Sequence, residues 1–226
     1  MLATFLVETV FAIYMGLRYA SSVFRNLVCL ILLCLASFQL AEYQVCVGPR
    51  DTAPIWGRFG LIGITMLPAL GMHLIGAVTR KSILTSIGYI IAGFYVLFFA
   101  FIPGATGQPE CNGNYVIIQI GSGWYNVLFS AYYWIFILLA MVELTLRLTR
   151  RDPPPGFGFS RQLIALTLAG YLSFTVPMGI AALLTSEVRR AIPSVMCGFA
   201  LILAIILTVY VTPLQAEESF AMKPAT

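Results

Sequence analysis

Phe24-Arg-Asn-Leu-Val-Cys-Leu-Ile-Leu-Leu-Cys-Leu-Ala-Ser-Phe-Gln-Leu-Ala-Glu-Tyr-Gln-Val-Cys46 decides the fold class. About 20 mostly apolar residues in a helix cross the hydrocarbon of a bilayer, and this stretch is unbroken in its apolarity from Leu27 to Leu35. A membrane β-strand would instead alternate in polarity over about ten residues. Six more windows of the same kind lie around it: Leu2 to Arg18, Trp56 to Val78, Ile83 to Pro103, Gly123 to Thr149, Arg161 to Leu184 and Ile192 to Leu214. Inside a bilayer every backbone polar group needs an internal partner, so these windows read as helices. The expectation is an all-α membrane protein: a bundle of seven transmembrane helices over 1–214 and a short cytoplasmic tail over 215–226.

Composition agrees. The 226 residues are 60% hydrophobic and 10% charged, with a mean hydropathy of +0.92, whereas soluble domains carry about a quarter charged residues. A soluble domain is excluded. The net charge of +4 reads as a topology signal and attraction to anionic lipid rather than a nucleic-acid footprint.

Cytoplasmic loops hold the excess of Lys and Arg. With the N-terminus outside and the C-terminus inside, the inner side collects Arg18, Arg25, Arg80, Lys81, Arg147, Arg150, Arg151, Arg161 and Lys223, and the outer side only Arg50, Arg58, Arg189 and Arg190. The first window has no basic leading region, contains Glu8 and offers no small-residue cleavage site before Arg18, so it is expected to stay as a helix rather than be removed as a signal peptide.

Two loops stand out. Asp152-Pro-Pro-Pro-Gly156 favours a stiff polyproline segment, read as a spacer between helices in preference to a docking strut. Between the fourth and fifth helices, Asn112-Gly113 signals a type I′ turn, and Tyr115-Val-Ile-Ile-Gln-Ile120 is β-prone. A small extracytoplasmic β-hairpin is expected there. Cys111 in the hairpin and Cys46 at the outer end of the second helix are both on the oxidising side and are expected to form a disulfide. Cys29, Cys34 and Cys197 read as small apolar fillers.

An internal repeat is suggested by Arg25-Asn-Leu-Val-Cys-Leu-Ile-Leu with Ser37-Phe38 against Arg161-Gln-Leu-Ile-Ala-Leu-Thr-Leu with Ser173-Phe174. That register fits a three-plus-one-plus-three plan of the kind found among transporters.

Ionisable side chains inside a membrane are expensive and usually face the bundle interior. Depth counting gives two candidate pairs, Glu42 with Arg58 near the outer surface and His73 with Glu143 in the inner half; Glu8 falls in the outer half. His73 with Glu143 reads either as a proton-linked switch or as a static interhelical hydrogen bond, the latter favoured. Glu8, Glu42, Tyr43 and Arg58 are the expected lining of a ligand or partner site open to the outer face. Pro68 and Pro177 are expected kinks, with Ser173 and Thr175 available to satisfy what Pro177 frees.

No catalytic motif occurs, a lone His leaves no metal or bis-His haem centre, and the seventh helix has no Lys for a retinal Schiff base. The expectation is a protein that is not an enzyme and carries no cofactor and no metal.

Trp56-Gly-Arg-Phe-Gly-Leu-Ile-Gly-Ile-Thr-Met-Leu-Pro-Ala-Leu-Gly-Met-His-Leu74 resembles the seven-helix sensor region at the N-terminus of many bacterial histidine kinases and diguanylate cyclases. An aromatic, an early Gly, a mid-helix Pro and a following His are shared, and the hairpin followed by Tyr132-Tyr133 and a Leu-rich helix ending in Arg147 is similar. The resemblance implies a sensor or receptor in a bacterial cytoplasmic membrane. Only about a dozen residues follow Pro213 here, so an output would pass through a membrane-protein or cytoplasmic partner. An accessory subunit of a membrane complex and a small transporter are the alternatives.

Overall fold

The computed structural model describes residues 1–79, 83–113, 115–121, 124–149, 160–185, 188 and 191–221. Arg80, Lys81, Arg150, Arg151, Arg189, Arg190 and Lys223, the start of the fifth window at Gly123 and the run Asp152 to Gly156 lie outside the described residues.

The described residues are helical almost throughout. In order come α1 (Leu2–Arg18), α2 (Val23–Val47), α3 (Ala53–Thr65), α4 (Leu67–Thr79), α5 (Ile83–Phe101), β1 (Glu110–Asn112), β2 (Tyr115–Ile117), α6 (Trp124–Thr149), α7 (Arg161–Leu184) and α8 (Ile192–Ile205). A π-helical segment (Ile206–Val211) then leads into α9 (Thr212–Ala221). Six helical stretches among the described residues are long and apolar enough to cross a membrane: Val23–Val47, Ala53–Ala77, Leu84–Phe101, Trp124–Thr149, Arg161–Leu184 and Ile192–Glu217. α1, of 17 residues, lies against α2.

Local chemistry sets the ends. Ser22 and Ser160 cap α2 and α7, their hydroxyls accepting from the Arg25 and Leu163 N–H groups at 3.1 and 3.2 Å. Pro54 and Pro193 stand in the first turns of α3 and α8, where a missing N–H loses nothing. The last helix passes Leu214, the expected end of the bundle, and continues to Ala221.

The two prolines behave differently. The expected third span is interrupted at Met66, because Pro68 has no N–H for the Ile64 carbonyl. The next carbonyl, Thr65, accepts instead from the Tyr132 hydroxyl on α6 at 2.9 Å. α7 runs unbroken through Pro177. Ser173 and Thr175 do not serve the carbonyl that Pro177 frees, since their hydroxyls donate to Gly170 and Tyr171 carbonyls at 2.7 and 2.8 Å.

α2 is the central helix, packed against α1, α3, α4 and α8. α3 comes unusually near it: a Cβ at Gly60 would meet the Ala41 Cβ at 3.0 Å, and one at Gly63 would collide with the Ser37 hydroxyl. Small residues at such crossings let helix backbones approach where no hydrophobic drive separates protein from lipid. The suggested repeat is echoed in part. Ser37 bonds Cys34 as Ser173 bonds Gly170, but the capping serines of α2 and α7 are two residues out of that register.

β1 and β2 form the expected antiparallel hairpin, with Asn112 opposite Tyr115. Its loop therefore begins at Gly113, one residue later than the Asn112-Gly113 signal suggests, and Gly113 has the positive φ (66°) that such a turn needs. A further bridge joins Thr106 to Ile120. The expected disulfide is present, linking Cys46 and Cys111 with Cα atoms 5.2 Å apart.

Candidate functional site

Two features lie at the hairpin end of the bundle. The first is a cavity of about 430 Å³ under β2 and the residues after it. Ile117, Ile118 and Ile120 form its roof, Ile64 and Met196 its floor, and α6 and the start of α8 its walls. The α6 wall follows helical spacing: Asn126, Ser130 and Trp134 lie one turn apart, with Phe129 and Tyr133 beside them. The lining is thus mainly apolar, with Gln119, Asn126 and Ser130 as hydrogen-bonding groups. Size and lining both match small-molecule sites, which run to about 300–1,000 Å³ with a few polar groups on apolar walls. The expected lining of Glu8, Glu42, Tyr43 and Arg58 is not the one found; none of the four borders this cavity.

The second feature holds two of those four. Glu8 shares the buried stripe of α1 with Ala12 and Met15 and is 0% exposed. Glu42 lies two turns beyond Leu35 on the α2 face that meets α8, and is 1% exposed. The two carboxyl groups are near enough to act on each other electrostatically. Ser194, buried on α8, is near enough to the Glu42 carboxyl to act on it and accepts from the Val116 N–H of the hairpin at 3.1 Å. Both Glu8 oxygens and Glu42 Oε1 have no hydrogen-bond partner. Leaving buried polar groups unpaired is costly, so this cluster is not ordinary packing.

The expected Glu42–Arg58 pair is not formed. Gly60 and Gly63 turn one side of α3 toward α2, and Arg58, two residues from Gly60, is rotated by about 200° at 3.6 residues per turn. Among the described residues Arg58 makes no ion pair or hydrogen bond, and Tyr43 is half-buried without one.

His73 and Glu143 are likewise divided between other partners. His73 Nδ1 lies 3.0 Å from the Tyr89 hydroxyl on α5, and Glu143 accepts from Arg147 Nε one turn along α6 at 2.9 Å. Helix rotation again decides it: Gly71 packs on Tyr171 of α7, which directs His73, two residues on, away from that side. Glu8 faces the interior as expected, and neither of its oxygens has a hydrogen-bond partner among the described residues.

Cys29, Cys34 and Cys197 are free thiols in α2 and α8, and no group of three or more potential metal ligands occurs among the described residues. A second, apolar cavity of about 50 Å³ lies deeper, beside Pro68 and Gly71, and shares Tyr133 and Met196 with the first. Sequence reasoning missed Ser194, whose only signal is its place one residue after a helix-starting proline, and the α6 stripe of Asn126, Ser130 and Trp134, which is legible at i, i+4, i+8 spacing. No protein-family model, no curated protein and no solved structure matches this chain.

Proposed function

We propose that this chain is a non-enzymatic seven-helix receptor of a bacterial cytoplasmic membrane, with its hairpin outside, that takes a small, mainly apolar molecule into the cavity under the hairpin and signals through a separate partner protein. The observation that carries this reading is the cavity of about 430 Å³ roofed by a disulfide-anchored hairpin. α1, at 17 residues, reaches the lower limit for a span and supplies the seventh crossing. The orientation is supported by the described cations: Arg18, Arg25, Arg147 and Arg161 lie at the helix ends away from the hairpin, and Arg50 and Arg58 at the hairpin end. The resemblance to bacterial sensor regions supports the same assignment.

The ligand class follows from the lining. Isoleucine, phenylalanine and methionine side chains favour an apolar body, and Gln119, Asn126 and Ser130 offer hydrogen bonds to one polar group. Filling the space with an indole in Ser130→Trp tests this. Protein purified from native membrane should yield one small molecule per chain by mass spectrometry, and the variant should yield none. If neither carries a molecule and a membrane protein co-purifies in equal amount over the hairpin face, the chain is an accessory subunit. The matching Ser37 and Ser173 bonds favour a transporter as a second reading, which ligand accumulation in sealed vesicles would reveal.

A further inference from the structure

We infer that Glu8 and Glu42, with the Ser194 hydroxyl, form a binding site for a small cation, a proton or a sodium ion, directly beneath the point where the hairpin is anchored. This site is separate from the cavity and does not depend on the receptor reading.

The fold brings two carboxyl groups together out of contact with solvent, at 0% and 1% exposure, on neighbouring helices. Three of their four oxygens have no hydrogen-bond partner. No Lys or Arg pairs with either among the described residues. Like charges at close range in a low-dielectric interior are strongly unfavourable unless a positive charge sits between them, and unused carboxylate oxygens are the ligands that protons and hard cations take.

The remaining groups around the pair are accounted for. From just before α1, the Met1 α-amino group acts on both carboxyls. From α8, the Cys197 thiol is near enough to feel both, and Ser194 is near enough to act on Glu42. From the hairpin, the Val116 N–H fixes the Ser194 oxygen as an acceptor, so the Ser194 proton is free to point at Glu42. Glu8 has neither oxygen engaged and is the open side of the site. A cation entering here would bridge α1 to α2 and, through Ser194, reach the backbone of β2.

Infrared difference spectra of the full chain in lipid, taken across about pH 4 to 10 in sodium-free choline buffer and again in sodium, test the assignment. A carboxylic-acid carbonyl band that titrates in the wild type and disappears in Glu8→Gln or Glu42→Gln is the expected result. If sodium binds, each tenfold rise in its concentration lowers the midpoint by up to about one pH unit; if the site takes protons alone, the midpoint ignores sodium. Should the glutamine variants fail to fold, Ser194→Ala, which removes the hydroxyl beside Glu42 and keeps both carboxyls, is expected to move the midpoint. A wild type with no titrating acid band in either salt, or a band unmoved by all three folded variants, overturns the proposal.

Discussion

Cys111 and Val116 face each other across the hairpin, and each grips a different helix: Cys111 is bonded to Cys46 of α2, and the Val116 N–H donates to Ser194 of α8 at 3.1 Å. The hairpin is therefore a clasp over two helices that also pack on each other. One jaw is covalent and the other is a single hydrogen bond, so the two can be opened separately.

Opening the covalent jaw comes first. The disulfide closes a loop of 65 residues, worth about 4 kcal/mol on the chain-entropy estimate. Cys46→Ser with Cys111→Ser is expected to lower the thermal midpoint clearly and to expose the cavity roof to limited proteolysis near Gly113. An unchanged midpoint would mean that the hairpin holds through the Val116–Ser194 bond and the packing of Val116, Ile117 and Ile118 without its covalent jaw.

Tyr132→Phe removes the hydroxyl that serves the Thr65 carbonyl at the break between α3 and α4. The expected loss is about 1–3 kcal/mol, the range for a buried carbonyl left unpaired. Chemical denaturation of the variant measures it, and a loss near zero would show that the break needs no outside donor.

At the α2–α3 crossing, Gly63→Ala is expected to destabilise by about 1–3 kcal/mol, as overpacking does, because its Cβ collides with the Ser37 hydroxyl. Adding Ser37→Ala should restore part of the loss and not all, since the Cys34 carbonyl remains 3.3 Å from that Cβ. Full additivity of the two changes in thermal unfolding would place the strain elsewhere.

His73 offers a check on helix rotation. With Tyr89 as its partner, Tyr89→Phe is expected to shift the imidazole nitrogen resonances of the single histidine, and Glu143→Gln to leave them in place. The opposite pattern would return Glu143 to His73 as a partner.

These cases show what the sequence made legible. Hydropathy located the helices well: α1 and α7 begin and end on the residues expected, and α2 differs by one at each end. Membrane burial is the reason, because a continuous apolar run leaves little freedom over where a span starts and stops. The disulfide was legible for a different reason, that Cys46 and Cys111 were the two thiols expected at one end. Side-chain partners were not. Each residue turns a helix by about 100°, and windows that are apolar on every side give no period from which to read that angle. Glu42 lies beside Ser194 rather than paired with Arg58, and His73 met Tyr89 rather than Glu143, because glycines at 60, 63 and 71 fixed the helix faces.

The π-helical segment at Ile206–Val211 has a consequence for chain length. In it the Thr212 N–H reaches back five residues to Leu207, whose carbonyl also accepts from the Thr212 hydroxyl at 2.8 Å. Such a bulge stores a surplus residue within an otherwise α-helical rod. Deleting one residue from 206–211 should let the ladder close at ordinary spacing while α8 and α9 keep their present faces. The same deletion within Ile192–Ile205 would swing everything after it by about 100°, turning Thr212, now 1% exposed, out of the interior. The last span thus carries one place where its length can change by a residue without changing which way it faces.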